Sequence, residues 1–97
     1  MFVLEQADKP EPMKVLIPDP LRPYTRKREV EAMGETLAEA LADLDRQYPG
    51  LRFRMIDEQG KIRRHMRVFV NGEQEFAMTR RLRPADELQI VQALSGG

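Results

Sequence analysis

TLAEALADLDRQYPG, residues 36–50, decides how this chain folds. Thr36 followed by Glu39 fits a capping box, in which hydroxyl and carboxylate satisfy amides that the first helical turn leaves free. Leu37, Ala40, Leu41, Leu44 and Tyr48 recur at spacings of three and four, which aligns them in one apolar stripe. Glu39, Asp43 and Arg46 fall on the opposite face, so the pattern predicts one side against a sheet and the other in water. Pro49-Gly50 stops the helix. A single amphipathic helix must bury its stripe against another layer, and the flanking sequence has to supply that layer.

Upstream, Lys14-Val15-Leu16-Ile17 reads as a strand ended by Pro18 and Pro20, and Leu21 to Thr25 reads as a loop. Arg28 to Ala32 alternates polar and apolar residues, as a half-buried antiparallel strand does. Strand, loop and strand make a first hairpin. Downstream, Leu51 to Ile56 is ambiguous, because Leu51, Phe53 and Met55 alternate in a stretch short enough to be irregular. Asp57 to Lys61 is a loop. Met66 to Val70 is a strand, Asn71-Gly72 favours a mirror-type hairpin turn, and Glu73 to Phe76 is the return arm. Pro84-Ala85-Asp86 turns into a last strand, Glu87 to Val91, with Leu88 and Ile90 on one face and Gln89 and Val91 on the other. The helix is the crossover that parallel pairing of the first and last strands requires. The expected class is α+β, a mixed sheet packed on one main helix. Residues 1–12, interrupted by Pro10 and Pro12, read as an N-terminal extension, residues 13–94 as the domain, and residues 95–97 as a flexible tail.

Ninety-seven residues allow one modest core. Sixteen basic and sixteen acidic residues give zero net charge, so no global field draws the chain to nucleic acid or to anionic lipid. Twelve of the sixteen basic residues are arginine, the type suited to planar pairing with carboxylates. They cluster at Arg63, Arg64 and Arg67 and at Arg80, Arg81 and Arg83. That clustering reads either as a partner-docking surface or as a solvated face of mixed sign. There is no cysteine, which removes disulfides, a thiol nucleophile and thiolate metal ligands from consideration. No apolar run is long enough to span a membrane, and the expected location is cytoplasmic.

Little in the chain suggests catalysis. His65, the single histidine, enters a strand within a basic segment and has no carboxylate pair beside it. Asp43 with Asp45, or Glu73 with Glu75, would need a shielded cleft to do acid–base work. The phosphate-binding glycine loops are absent, and no His spacing supports a metal. Arg63, Arg64 and Arg67 beside Phe69 have the ingredients of single-strand nucleic-acid binding, but the balanced charge opposes it. No bound cofactor and no nucleic-acid or membrane partner is expected. The chain closes with Ser95-Gly96-Gly97. The glycine pair reads as a frayed end, a linker remnant, or a narrow tail that presents a carboxylate to an activating enzyme.

In combination, these features resemble the β-grasp, ubiquitin-like sulfur carriers of the ThiS and MoaD group. The matching features are the hairpin, the helix from Thr36 to Tyr48, Val68-Phe69-Val70-Asn71-Gly72-Glu73, the Pro84-Ala85-Asp86-Glu87-Leu88 turn into a strand, and Gly96-Gly97. They cover roughly Met13 to Gly97. The segment from Ile17 to Thr25 is more similar to the branch that supplies sulfur for cysteine synthesis. Val91-Gln92-Ala93-Leu94 lacks the Pro-Pro or aromatic usual before the tail of the molybdopterin-synthase subunit, so pterin synthesis fits less well, and thiamine synthesis is the other cofactor route. The resemblance implies that an E1-like enzyme uses Mg-ATP to adenylate Gly97, and that sulfur then displaces AMP to leave a thiocarboxylate. Gly96 fits the narrow channel that such an enzyme needs. Phe69, Val91, Leu94 and Arg67 are the expected docking residues, although Phe69 and Val91 also read as ordinary sheet positions. The implied partners are the activating enzyme and a sulfur-acceptor enzyme such as a cysteine synthase. The rivals are a protein modifier that forms isopeptide conjugates and a passive protein- or RNA-binding module.

Overall fold

The computed structural model describes residues 11–93. Five strands form one sheet in the order β2-β1-β5-β3-β4: β1 (Met13–Leu16), β2 (Glu29–Ala32), β3 (Met66–Val70), β4 (Glu73–Gln74) and β5 (Glu87–Gln92). β1 runs antiparallel to β2 and parallel to β5, and β3 runs antiparallel to both β5 and β4. One helix, Leu37–Gln47, crosses one face of the sheet. This is the expected α+β, β-grasp architecture, including the parallel pairing of the first and last strands.

The helix forms where its caps and stripe placed it. The Thr36 hydroxyl accepts the Glu39 amide at 3.2 Å, while Glu39 Oε1 accepts the amide of Glu35 at 2.8 Å, one residue earlier than in the usual box. Two further free amides, those of Leu37 and Ala38, donate to the carbonyls of Arg80 and Met78. The helix N-terminus is therefore closed by the connection before β5, as well as by its own residues. Leu37, Ala40, Leu41 and Leu44 are fully buried against Val15, Val30, Val68, Leu88 and Ile90 of the sheet, and Tyr48 packs at the edge of this core. Gly34 permits the close entry of the chain: a Cβ there would lie 2.6 Å from the Ala40 amide nitrogen.

Four details differ from the sequence expectation. The segment read as a loop from Leu21 is helical: a 3-10 turn (Asp19–Leu21) runs into α1 (Arg22–Thr25). With α1 counted, the main helix is α2. Pro20 and Pro23 sit in the first positions of these two turns, where a missing N–H costs nothing. The ambiguous stretch is a short helix, α3 (Leu51–Met55), which buries Leu51 and Met55 and leaves Phe53 63% exposed. The return arm ends at Gln74, because Glu75 Oε2 takes the amides of Phe76 and Ala77 and turns the chain away from the ladder. Asp43, expected in water, is 6% exposed. Its Oδ2 accepts the Met33 amide at 3.0 Å and Gln47 Nε2 at 2.9 Å, and its Oδ1 pairs with Arg46. The elbow that carries the chain from β2 into α2 covers it.

The Asn71-Gly72 turn matches its reading, with φ at +52° and +87°. Asn71 also holds the start of β5: its Nδ2 donates to Asp86 Oδ1 and its Oδ1 accepts the Glu87 amide, both at 2.9 Å.

Candidate functional site

The strand that leads to the C-terminus occupies the centre of the sheet. β5 is bonded on one side to β1 and on the other to β3, with Val91 opposite Arg67 and Gln92 opposite Met66. One further bond follows, from the Ala93 amide to the His65 carbonyl at 2.7 Å. A central strand is the hardest element to peel from a sheet, so whatever follows Ala93 is tied to a rigid base.

Alternation along the strands creates an outer face, away from α2. Leu88 and Ile90 are buried beneath the helix, whereas Gln89 and Val91 point the other way. By register, Phe69 lies opposite Gln89 on one side and Leu16 lies opposite it on the other. The structure thus brings together three predicted residues, Phe69, Val91 and Arg67, on one face. Leu16, which is half-buried, joins them. The sequence signal for Leu16 was available in the alternation of Val15 with Lys14 and Leu16, but it becomes useful only once β1 is placed beside β5.

Charges rim this apolar strip. Lys14 bridges Glu29 at 3.9 Å and Glu87 at 3.7 Å. On the other flank, Arg67 Nη1 donates to the carbonyls of Arg64 and Met66 at 2.8 and 3.0 Å, which holds the guanidinium at the start of β3. An apolar centre with a polar rim is the usual anatomy of a docking patch. Leu94, Gly96 and Gly97, the other predicted site residues, lie outside the described residues. His65 is exposed, and among the described residues its backbone carbonyl alone is engaged. Among the described residues, no group of three or more His, Cys, Asp or Glu is arranged to hold a metal ion.

The sequence profile of the ThiS family matches residues 15–97, a span that includes the helix, the terminal glycines and all of the sheet but the first two residues of β1. The chain belongs to the ThiS family. Among its relatives, the sulfur carrier protein CysO of Mycobacterium tuberculosis is 33% identical over 89 residues, spanning 86% of this chain and 96% of CysO. The solved BexX/CysO complex of Amycolatopsis orientalis contains a chain that is similar at 31% identity and a TM-score of 0.80, over 88% of this chain and 99% of that one. SAMP1 from Haloferax volcanii has a similar structure at 27% identity and a TM-score of 0.76, covering 89% and 99% of the two chains.

As a member of the ThiS and MoaD group of β-grasp sulfur carriers, the chain serves other enzymes as a carrier and substrate and is not itself a catalyst. The family assigns it a sulfur-carrier function through a thiocarboxylate in cysteine or cofactor biosynthesis. It implies two kinds of partner, an E1-like activating enzyme and a sulfur acceptor.

Proposed function

We propose that Gly97 is the atom-bearing end of this carrier, and that the strip formed by Phe69, Val91 and Arg67, together with Leu94 of the following segment as a contact residue, presents it to its partners. The observation that carries the reading is the family match running through residue 97, directly beyond a central strand whose last described bond is at Ala93. In the first step a carboxylate oxygen of Gly97 attacks the α-phosphorus of ATP in the activating enzyme, and pyrophosphate leaves. Sulfide then adds to the acyl carbon and AMP departs with the bonding pair, leaving the thiocarboxylate. If the donor is a persulfide, the first product is an acyl disulfide, and a thiol must reduce it to release the same group. Gly97 has no Cβ to hinder attack at the acyl carbon, and Gly96 adapts to a tight channel.

We place the carrier in the cysteine-synthesis branch, with a cysteine synthase as acceptor. The likeness to CysO over nearly the whole of both chains supports this reading. A cytoplasmic site of action is consistent with such partners. The experiment is intact-mass measurement after incubation with ATP, a sulfur donor and the activating enzyme of the same organism, beside a chain lacking Gly97. The expected result is the increment of one oxygen-for-sulfur exchange, absent from the truncated chain, followed by loss of the increment when a cysteine synthase and its substrate are added. Lysine-linked conjugates resistant to thiols, without a thiocarboxylate, would replace this reading with the modifier one.

A further inference from the structure

A cleft of about 230 Å³ opens at the root of the tail, lined by Phe53, Arg54, Arg63, His65, Met66 and Gln92. Its floor is the end of β5, and the Ala93–His65 bond fixes the point where the tail leaves it. The Phe53 ring is exposed, and the Arg63 guanidinium stacks over it with its carbon 4.6 Å from the ring centroid. Arg63 Nε donates to the Phe53 carbonyl at 2.7 Å, which locks this pair. Arg54 is exposed on the cleft wall, and Arg64 and Arg67 line the adjoining cleft that shares Arg63 and Met66 with it and also holds Glu75. Among the described residues no carboxylate lines the cleft, and the ion pairs formed use Lys14, Arg22, Arg46, Arg80 and Arg81 instead. In a chain of zero net charge this is a positive saddle with an aromatic centre, bordered beyond Phe53 by Asp57, whose carboxylate feels the Arg63 charge.

Resting on the carrier reading above, we infer that this saddle receives an acidic, carboxylate-rich segment at the mouth of the channel through which the activating enzyme admits the tail. The geometry sets the partner's position. Four residues follow Ala93, and fully extended they reach about 14 Å. An enzyme that acts on Gly97 must therefore bring the rim of its active-site entrance onto the surface around Ala93, and that surface is the saddle. Exposed arginines around a locked Arg–aromatic pair suit carboxylates, which they pair with in a planar, two-pronged way. Contacts of this kind at an interface rim set encounter rate and salt dependence.

The test uses Arg54→Glu/Arg64→Glu, two exposed side chains with no hydrogen bond or ion pair among the described residues, against Arg81→Glu as a control in the segment bridged to Thr36. Thiocarboxylate formation is followed by intact mass at varied carrier concentration and ionic strength. The expected result is a KM raised roughly tenfold in the double variant with kcat kept, a weaker salt dependence than the wild type, and no change for the control. Arg54→Lys/Arg64→Lys should recover only part of the loss, because an ammonium restores the charge without the planar pairing. Equal KM values for wild type and double variant overturn the proposal, as does an equal loss in the control. A lower KM in the double variant also overturns it, because the arginines would then be opposing the enzyme rather than attracting it. If the wild type gains no sulfur at all from an active enzyme, the carrier reading itself fails, an outcome distinct from these.

Discussion

Replacing Asp43 with alanine removes the acceptor that ties the β2–α2 elbow to the helix. The carboxylate is 6% exposed and receives the Met33 amide and the Gln47 amide group as well as Arg46. Gln47 still has the Glu31 carbonyl at 2.8 Å, and Arg46 is largely exposed, so both can find other partners. The Met33 amide is part-buried on a residue that is 42% exposed. Water can therefore replace the lost acceptor in part, and the cost sits at the low end of the range for an unsatisfied donor, about 1 kcal/mol. The exposed Arg46 pair adds only about 0.5 kcal/mol. Asp43→Ala should therefore lose about 1–2 kcal/mol in urea denaturation, with an unchanged slope in denaturant, while Asp43→Asn, which keeps an oxygen for Met33, should lose about 0.5 kcal/mol or less. Neither variant should alter KM for the activating enzyme, because the elbow is on the helix side of the sheet. A loss below about 0.5 kcal/mol for the alanine variant, or equal losses for alanine and asparagine, refutes the assignment of the cost to the Met33 amide.

The outer face makes a separate prediction: Phe69→Ala/Val91→Ala should raise KM for thiocarboxylate formation by about 10- to 30-fold, the scale of one docking hot spot, with circular dichroism and Tm showing a folded chain. An unchanged KM would move docking to another surface. The third prediction concerns acid. The carboxyls of Asp57, Glu75 and Asp86 are held below the ordinary carboxylate range, chiefly by the Lys61 amide, the Ala77 amide and the Asn71 side chain respectively. Depressed folded values mean that the unfolded chain binds more protons, so this stability is complete above the ordinary value of about 4 and is lost as pH falls through the folded values. Urea midpoints measured from pH 7 down to pH 2 should show that decline, and Asp57→Asn/Glu75→Gln/Asp86→Asn should flatten it. An unaltered profile in the triple variant would assign acid sensitivity to other groups.

The order of elements was readable because the strongest signals are local. The Thr36 cap, the Leu37–Leu44 stripe and the Asn71-Gly72 turn each act within a few residues, and each appears in the fold as the sequence suggested. The misreadings have physical causes of their own. Leu51 and Met55 fit a strand period and a helical one equally, and only the exposure of Phe53 separates the two. Pro20 and Pro23 signal a break in a strand, yet they are well suited to the first positions of short helical turns. Asp43 sits on the polar side of a helical wheel, and nothing local reveals that the Met33–Gly34 elbow folds over it. The outer face was partly legible through Phe69, Val91 and Arg67. The basic saddle was not, because Phe53 and Arg54 belong to α3 while Arg63 and His65 precede β3, and tertiary packing joins them.

The proposed docking surfaces occupy a part of the fold that the core does not use. The residues that hold the fold together face α2, so the outer strip and the saddle are left to make contacts without carrying the core. β5 connects the two, since Val91 stands in the strip, Gln92 lines the saddle and Ala93 makes the last described bond. On the docking proposed above, a partner that grips the strip would fix the origin of the tail through the same rigid strand, and Gly97 as the reacting end would put its active site within about 14 Å of Ala93. Lengthening the tail by inserting glycine after Ala93 should then separate the two contributions. Binding through the strip would persist, while turnover would fall because the carboxylate overshoots the reacting phosphorus.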